Sequence, residues 1–254
     1  KKLTHTAAPK PSVTPISPVA DTSAKLWMRA FTISLCAVFV LMTVMSFSFG
    51  ITGDEFDQDT LGQIIFSYYT SFGADTRALQ LPPELDRDGV LHNYGGLFDL
   101  IAVTVAKISP FEHFTTRHIL NAWAGFVAIL FAAKIAVRIG GKRMGVLTIW
   151  LMFLAPFFLG HSMNNPKDIP FAAAYIAAVY YLIRFYHKLP GVNWKDYVAP
   201  SLVLAAAIDV RVAGILLIPY LFAYFALNYF FFKEERNDVS KKIRGMVIVS
   251  LLGY

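Results

Sequence analysis

The stretch Leu97-Phe-Asp-Leu-Ile-Ala-Val-Thr-Val-Ala-Lys-Ile108 decides how this chain is built, because its crossing or not crossing a membrane sets the side on which everything after it lies. As a helix it reaches only about 18 Å, well short of a hydrocarbon core of about 30 Å, and it carries Asp99 and Lys107. If it stays on one face, then the N-terminal tail with the start of the first span, and the loops Lys134 to Arg143, Arg184 to Lys195 and Lys233 to Arg244, all share the opposite face. That face then holds every one of the 23 Lys and Arg residues except Arg77, Arg87, Lys107, Arg117, Lys167 and Arg211. If the stretch crossed, most of the cations would lie outside, against the positive-inside bias. It is therefore predicted to be an amphipathic helix lying at the outer interface.

The membrane itself follows from composition. Of 254 residues, 56% are hydrophobic, 16% charged and 15% aromatic, and the mean hydropathy is +0.51. These values lie outside the range of soluble domains. Leu26 to Gly50 is long enough to span and too long for the apolar region of a signal peptide. Further spans are predicted at His118 to Ile139, Met144 to Gly160, Ile169 to Tyr186, around Asp196 to Ile208, and Val212 to Phe232. The expected fold is all-α: a polytopic integral membrane protein of about six spans plus a truncated seventh that opens at Gly245. A span ending at Tyr254 with no polar flank reads as a fragment. The net charge of +6 and the pI near 9.3 report this orientation; the cations are spread over loops, which makes nucleic acid a poor partner. Cys36 is alone and inside a span, so no disulfide is expected in the outer loops.

Residues 1 to 24, rich in Pro, Ser, Thr and Ala, read as a disordered cytoplasmic tail ahead of one membrane module over 25 to 254. The outer loop, 51 to 117, is too long to lack structure. Within it Leu61, Ile64, Ile65 and Tyr68 share one helical face, which predicts a second surface helix over Thr60 to Ser71. Leu81-Pro82-Pro83 ends it, and Asn93-Tyr94-Gly95-Gly96 leads into Leu97.

Three polar groups fall on the predicted outer face. The first is Gly50-Ile-Thr-Gly-Asp-Glu-Phe-Asp-Gln-Asp-Thr60, with Asp54, Glu55, Asp57 and Asp59 directly after a span. Its bland reading is a solvated helix start whose acids complement the dipole; the Gly and ligand positions of an EF-hand are missing. The second is His161-Ser-Met-Asn-Asn-Pro-Lys-Asp168, which reads equally as an Asn-Pro turn with a snorkelling Lys. The third, Asp209-Val-Arg211, lies between apolar runs, where ionisable groups are expensive and face a bundle interior or a water-filled site.

In this order the features resemble the GT-C glycosyltransferases, in particular the branch of the protein O-mannosyltransferases and the lipid A aminoarabinose transferase. Gly53-Asp54-Glu55 is similar to the acidic motif of the family's first outer loop, and Asn165-Pro166-Lys167-Asp168 stands where the second loop carries its acid. Arg117-His-Ile-Leu-Asn121 resembles the Arg-Leu opening of the second span. Leu91-His-Asn-Tyr-Gly-Gly96 departs from the family, which commonly has Pro at this entry.

The resemblance covers about residues 26 to 232. It implies an enzyme of the cell envelope that moves a sugar from a polyprenyl-phosphate donor to an extracytoplasmic protein, lipid or glycan, with inversion. Such a reaction needs a carboxylate to take the acceptor proton and cations to hold the leaving phosphate. Asp54 is then the expected general base, with Glu55 orienting it or the acceptor. Lys167 and Arg211 are the expected phosphate ligands, with Arg87 and His92 as further candidates and Asp168, Asn165 and Asp209 in support. A divalent cation at Asp54 and Asp57 is one option, and no other cofactor is implied. On this reading Asp59, outside the motif, should tolerate replacement by Asn. Two alternatives stand beside it: a transporter with an ion site at Asp209 and Arg211, and an inactive subunit that keeps the fold.

Overall fold

The computed structural model describes residues 19–86, 91, 94–189, 191–231 and 240–241. The elements are helices α1 (Val19–Ser46), α2 (Gly53–Thr70), α3 (Leu97–Ala106), α4 (His113–Phe153), α5 (Pro156–Asn164), α6 (Asp168–Lys188), α7 (Lys195–Val210) and α8 (Leu217–Phe231), with a 3-10 turn at Val212–Leu216 before α8. No strand is present among the described residues. α1 starts at Val19, so Val19 to Ala24 are helical where a disordered tail was predicted; the rest of the tail, and the span expected from Gly245, lie outside the described residues.

Three helices, α1, α4 and α6, are long and apolar enough to cross a membrane. α4 is two antiparallel legs. Its helix breaks at Gly140 and Gly141, the latter at φ +76°, a backbone conformation that glycine adopts without steric cost. The reversal is tight enough that a Cβ on Gly145 would lie 2.5 Å from Val137 of the first leg. The second leg continues through α5 back to the starting level, where Asn121 Nδ2 donates to the His161 carbonyl at 2.9 Å. α1 fills the groove between the legs. Phe31, Val38 and Met42 pack there against Ala122, Ile129, Ile149 and Met163, and Trp150 Nε1 donates to Ser34 Oγ at 2.9 Å.

α6 then runs away from this level and α7 returns to it, since Phe185 and Tyr186 pack at one end with Tyr197 and Arg211 reaches Asp168 at the other. The ends of α1, α5 and α7 and the starts of α4, α6 and α8 therefore share one end of the bundle. α2 and α3 cover that end. They cross closely: a Cβ on Gly62 would stand 2.8 Å from the Asp99 carbonyl oxygen. α3 stays at this end, because Gly95 at its start bonds to Val210 and Lys107 at its finish lies 4.7 Å over the Phe66 ring of α2. The prediction that Leu97 to Ile108 does not traverse the bundle agrees with this arrangement. α2 begins earlier than the predicted Thr60, so the acidic stretch forms its first two turns.

Candidate active site

Placing the acidic stretch on a helix sorts its carboxylates by face. Asp54 and Asp57 are exposed, whereas Glu55, Gln58 and Asp59 are buried with Leu61 and Gly62. Glu55 closes a capping box, its Oε2 accepting from the Thr52 amide at 2.7 Å. Its other oxygen lies 2.9 Å from His118 Nε2. At 1% exposure Glu55 fixes the helix start that carries Asp54 and does not reach solvent.

Asp54 projects from that start and meets Lys167 Nζ at 2.6 Å. Lys167 is held by the turn before α6, in which the Asp168 amide donates to Asn165 Oδ1 at 3.0 Å and Asn165 Nδ2 donates to Asp168 Oδ2 at 3.0 Å. The Asn-Pro turn of the bland reading is thus present, and its lysine turns inward to a carboxylate. Burial works against the charge on Lys167; the hydrogen bond and charge of Asp54 outweigh it and hold the ammonium above its ordinary pKa.

Arg211 donates to Asp168, and its guanidinium lies 5.1 Å from the centre of the Tyr94 ring, over which Lys167 Nζ also stands at 5.5 Å. Lys167 and Arg211, far apart in sequence, are thereby brought to the same aromatic ring. Tyr94 itself is fixed by an isolated antiparallel bridge to Arg211 and by the Gly95 amide donating to the Val210 carbonyl at 3.2 Å. This contact explains the two glycines: a Cβ on Gly95 would fall 1.4 Å from the Asp209 carbonyl oxygen, and one on Gly96 would fall 2.1 Å from Ile65. Sequence reasoning passed over Tyr94, although an aromatic residue ahead of Gly-Gly was a signal that backbone passes closely there.

Asp209 is exposed and lines a groove of about 230 Å³ with Tyr68, Tyr69 and Leu97, so the carboxylate that meets Arg211 is Asp168. Arg87 and His92 lie outside the described residues. Among the described residues no three or more His, Cys, Asp or Glu side chains converge as metal ligands would.

Below the site is a buried ionic cluster that sequence reasoning also missed. Arg117, 1% exposed, donates to Asp59 of α2 at 3.0 Å and to Asp99 of α3 at 2.6 Å. Asp59 also meets His113 at 2.6 Å and Gln63 at 2.6 Å. Asp59, expected to tolerate replacement by Asn, is thus a buried link between α2 and α4. Burial pushes the Asp99 carboxyl up to about 7 against the pull of Arg117.

The chain is an all-α membrane protein, and a family match places it among glycosyltransferases of the GT-C type. The sequence profile described as dolichyl-phosphate-mannose-protein mannosyltransferase matches residues 97–252, and the chain belongs to that family. The match includes Asn165, Lys167, Asp168 and Arg211 and begins after Asp54. No curated protein and no solved structure gives a significant match.

Proposed function

We propose that this protein transfers a sugar from a polyprenyl-phosphate donor to a hydroxyl of an extracytoplasmic acceptor by single displacement with inversion. The observation that carries the reading is the convergence of Lys167 and Arg211 on Tyr94, with Asp54 bound to the first and Asp168 to the second. Each cation has a carboxylate that a phosphate can replace. The planar Arg211 fork suits two phosphate oxygens, and Lys167 adds a movable point charge.

Loading the donor then prepares the base. When the phosphate takes Lys167, the Asp54 carboxylate is released to accept a hydrogen bond from the acceptor hydroxyl. The hydroxyl oxygen attacks the anomeric carbon while its proton passes to Asp54. The bond from that carbon to the phosphate oxygen breaks, and its electron pair leaves with the lipid phosphate, stabilised by Lys167 and Arg211. Asp54, more than half exposed, is open to an acceptor, whereas Glu55 orients it through the capped backbone of α2.

The test is incubation of membranes carrying the protein with radiolabelled polyprenyl-phosphate sugars. Label should pass covalently to an acceptor with the wild type and not with Asp54→Asn. Label accumulating inside sealed vesicles without covalent transfer would overturn the proposal in favour of transport.

A further inference from the structure

At the end of the bundle away from Asp54, the C-terminus of α6 and the N-terminus of α7 enclose a cleft of about 110 Å³ lined by Tyr181, Arg184, Lys188, Lys195, Asp196 and Pro200. Its charges do not balance. Asp196 accepts from Lys188 Nζ at 2.5 Å and from the Asn193 amide at 2.9 Å and also feels the charge of Arg184, so one carboxylate faces three cations of the lining, and neither Arg184 nor Lys195 makes a direct ion pair among the described residues. Both are exposed.

The level of the cleft is fixed by α6. A helix of 21 residues is about 30 Å long, the thickness of a hydrocarbon core, so a cleft at Lys188 lies at headgroup depth if Asp168 lies at the other surface. The surroundings are those of a membrane interface, where aromatic rings and cations collect. Trp194 is 69% exposed with Lys195 Nζ 5.6 Å from its ring. On the neighbouring face of α4, Lys134 stands 5.0 Å from the Phe131 ring and Arg138 stands 5.2 Å from the Tyr180 ring.

We infer that this cleft binds the phosphate of an anionic phospholipid headgroup, with Arg184 and Lys195 as its ligands. The volume admits a phosphate and little more. Exposed cations at headgroup depth attract anionic lipids, and basic pockets between membrane helices bind anionic headgroups. Arg184 offers a planar fork to two phosphate oxygens, and Lys195 closes on a third from the start of α7. A bound headgroup would tie α6 to α7 across their loop. The inference does not depend on the transfer reaction, because the cleft is at the other end of the bundle.

The test is native mass spectrometry of the purified full chain in micelles with phosphatidylglycerol and phosphatidylcholine in equal amounts. The wild type should retain one phosphatidylglycerol in preference to phosphatidylcholine, and Arg184→Gln with Lys195→Gln should reduce that preference about 30-fold. Lys142→Gln with Arg143→Gln removes two cations outside the cleft lining and should leave the preference unchanged. Equal retention of the two lipids by the wild type, or equal loss in both double variants, would overturn the inference. Displacement of the lipid by millimolar inorganic phosphate would overturn the lipid as the source and assign the site to free phosphate. Each variant is compared with the wild type by size-exclusion elution, and if the cleft double variant does not elute as the wild type does, Lys195→Gln alone serves, with a smaller loss expected.

Discussion

Replacing Arg117 by Met leaves Asp59 and Asp99 buried without the guanidinium that joins them. Truncating one member of a buried ion pair costs roughly 3–5 kcal/mol. Two features bring the cost to the low end. Asp59 keeps His113 and Gln63, and Asp99, already raised to about 7 by burial, can take a proton in place of its lost partner. The expected loss is about 3 kcal/mol, or about 6–12 °C in melting temperature for a chain of this size. The assay is thermal unfolding in micelles followed by tryptophan fluorescence, with size-exclusion elution before heating as the check on folding. Arg117→Lys should recover only part of the loss, because one ammonium cannot fork to carboxylates on two helices. Adding Asp99→Asn to Arg117→Met should cost little more, since the neutral amide needs no counter-charge. Melting of Arg117→Met within about 2 °C of the wild type would show that this cluster does not hold α2 and α3 on α4.

Asp54→Asn should leave melting unchanged and lower transfer by about 10² to 10⁴, the usual range for loss of a positioned acid or base; equal transfer by the variant would return Asp54 to the role of a solvated helix start. Gly95→Ala should separate Tyr94 from Arg211, because the new Cβ meets the Asp209 carbonyl; wild-type transfer in that variant would show that the bridge is dispensable. The folded Asp99 carboxyl keeps its proton up to about pH 7, whereas the unfolded one loses it near its ordinary 3.8. Between these values the folded state binds more protons, so this group's contribution to stability falls as pH rises. The difference in stability between wild type and Asp99→Asn should therefore change steadily from about pH 4 to about pH 7, and parallel curves would contradict the assignment.

The order of the apolar helices was legible because apolar runs are local features; of the segments expected to span, those in α1, α4 and α6 belong to helices long and apolar enough to cross a membrane. The charge asymmetry of the loops was enough to keep Leu97 to Ile108 at one end of the bundle. Lys167 and Arg211 could be paired in advance because each closes a boundary on the same predicted face, so topology alone brings them near. The sorting of the acidic stretch was less accessible. Glu55, Gln58, Asp59 and Gly62 recur at helical spacing, but polar residues at that spacing signal burial only when a partner is known, and the partners of Asp59 and Asp99 come from another helix. Arg117 is for the same reason indistinguishable in sequence from an exposed loop cation. The close passage of Tyr94 past Arg211 is a tertiary contact, and only the two glycines hinted at it.

If Lys167 and Arg211 together form the seat of a lipid phosphate, polyprenyl phosphate itself binds there. A ligand that binds only the folded state raises its stability by mass action. Polyprenyl phosphate should therefore raise the melting temperature of the wild type, and do so far less in Lys167→Ala and Arg211→Ala, with Arg211→Lys intermediate. If the lipid phosphate stabilises Arg211→Ala as much as the wild type, Arg211 is a structural partner of Asp168 and the phosphate site lies elsewhere.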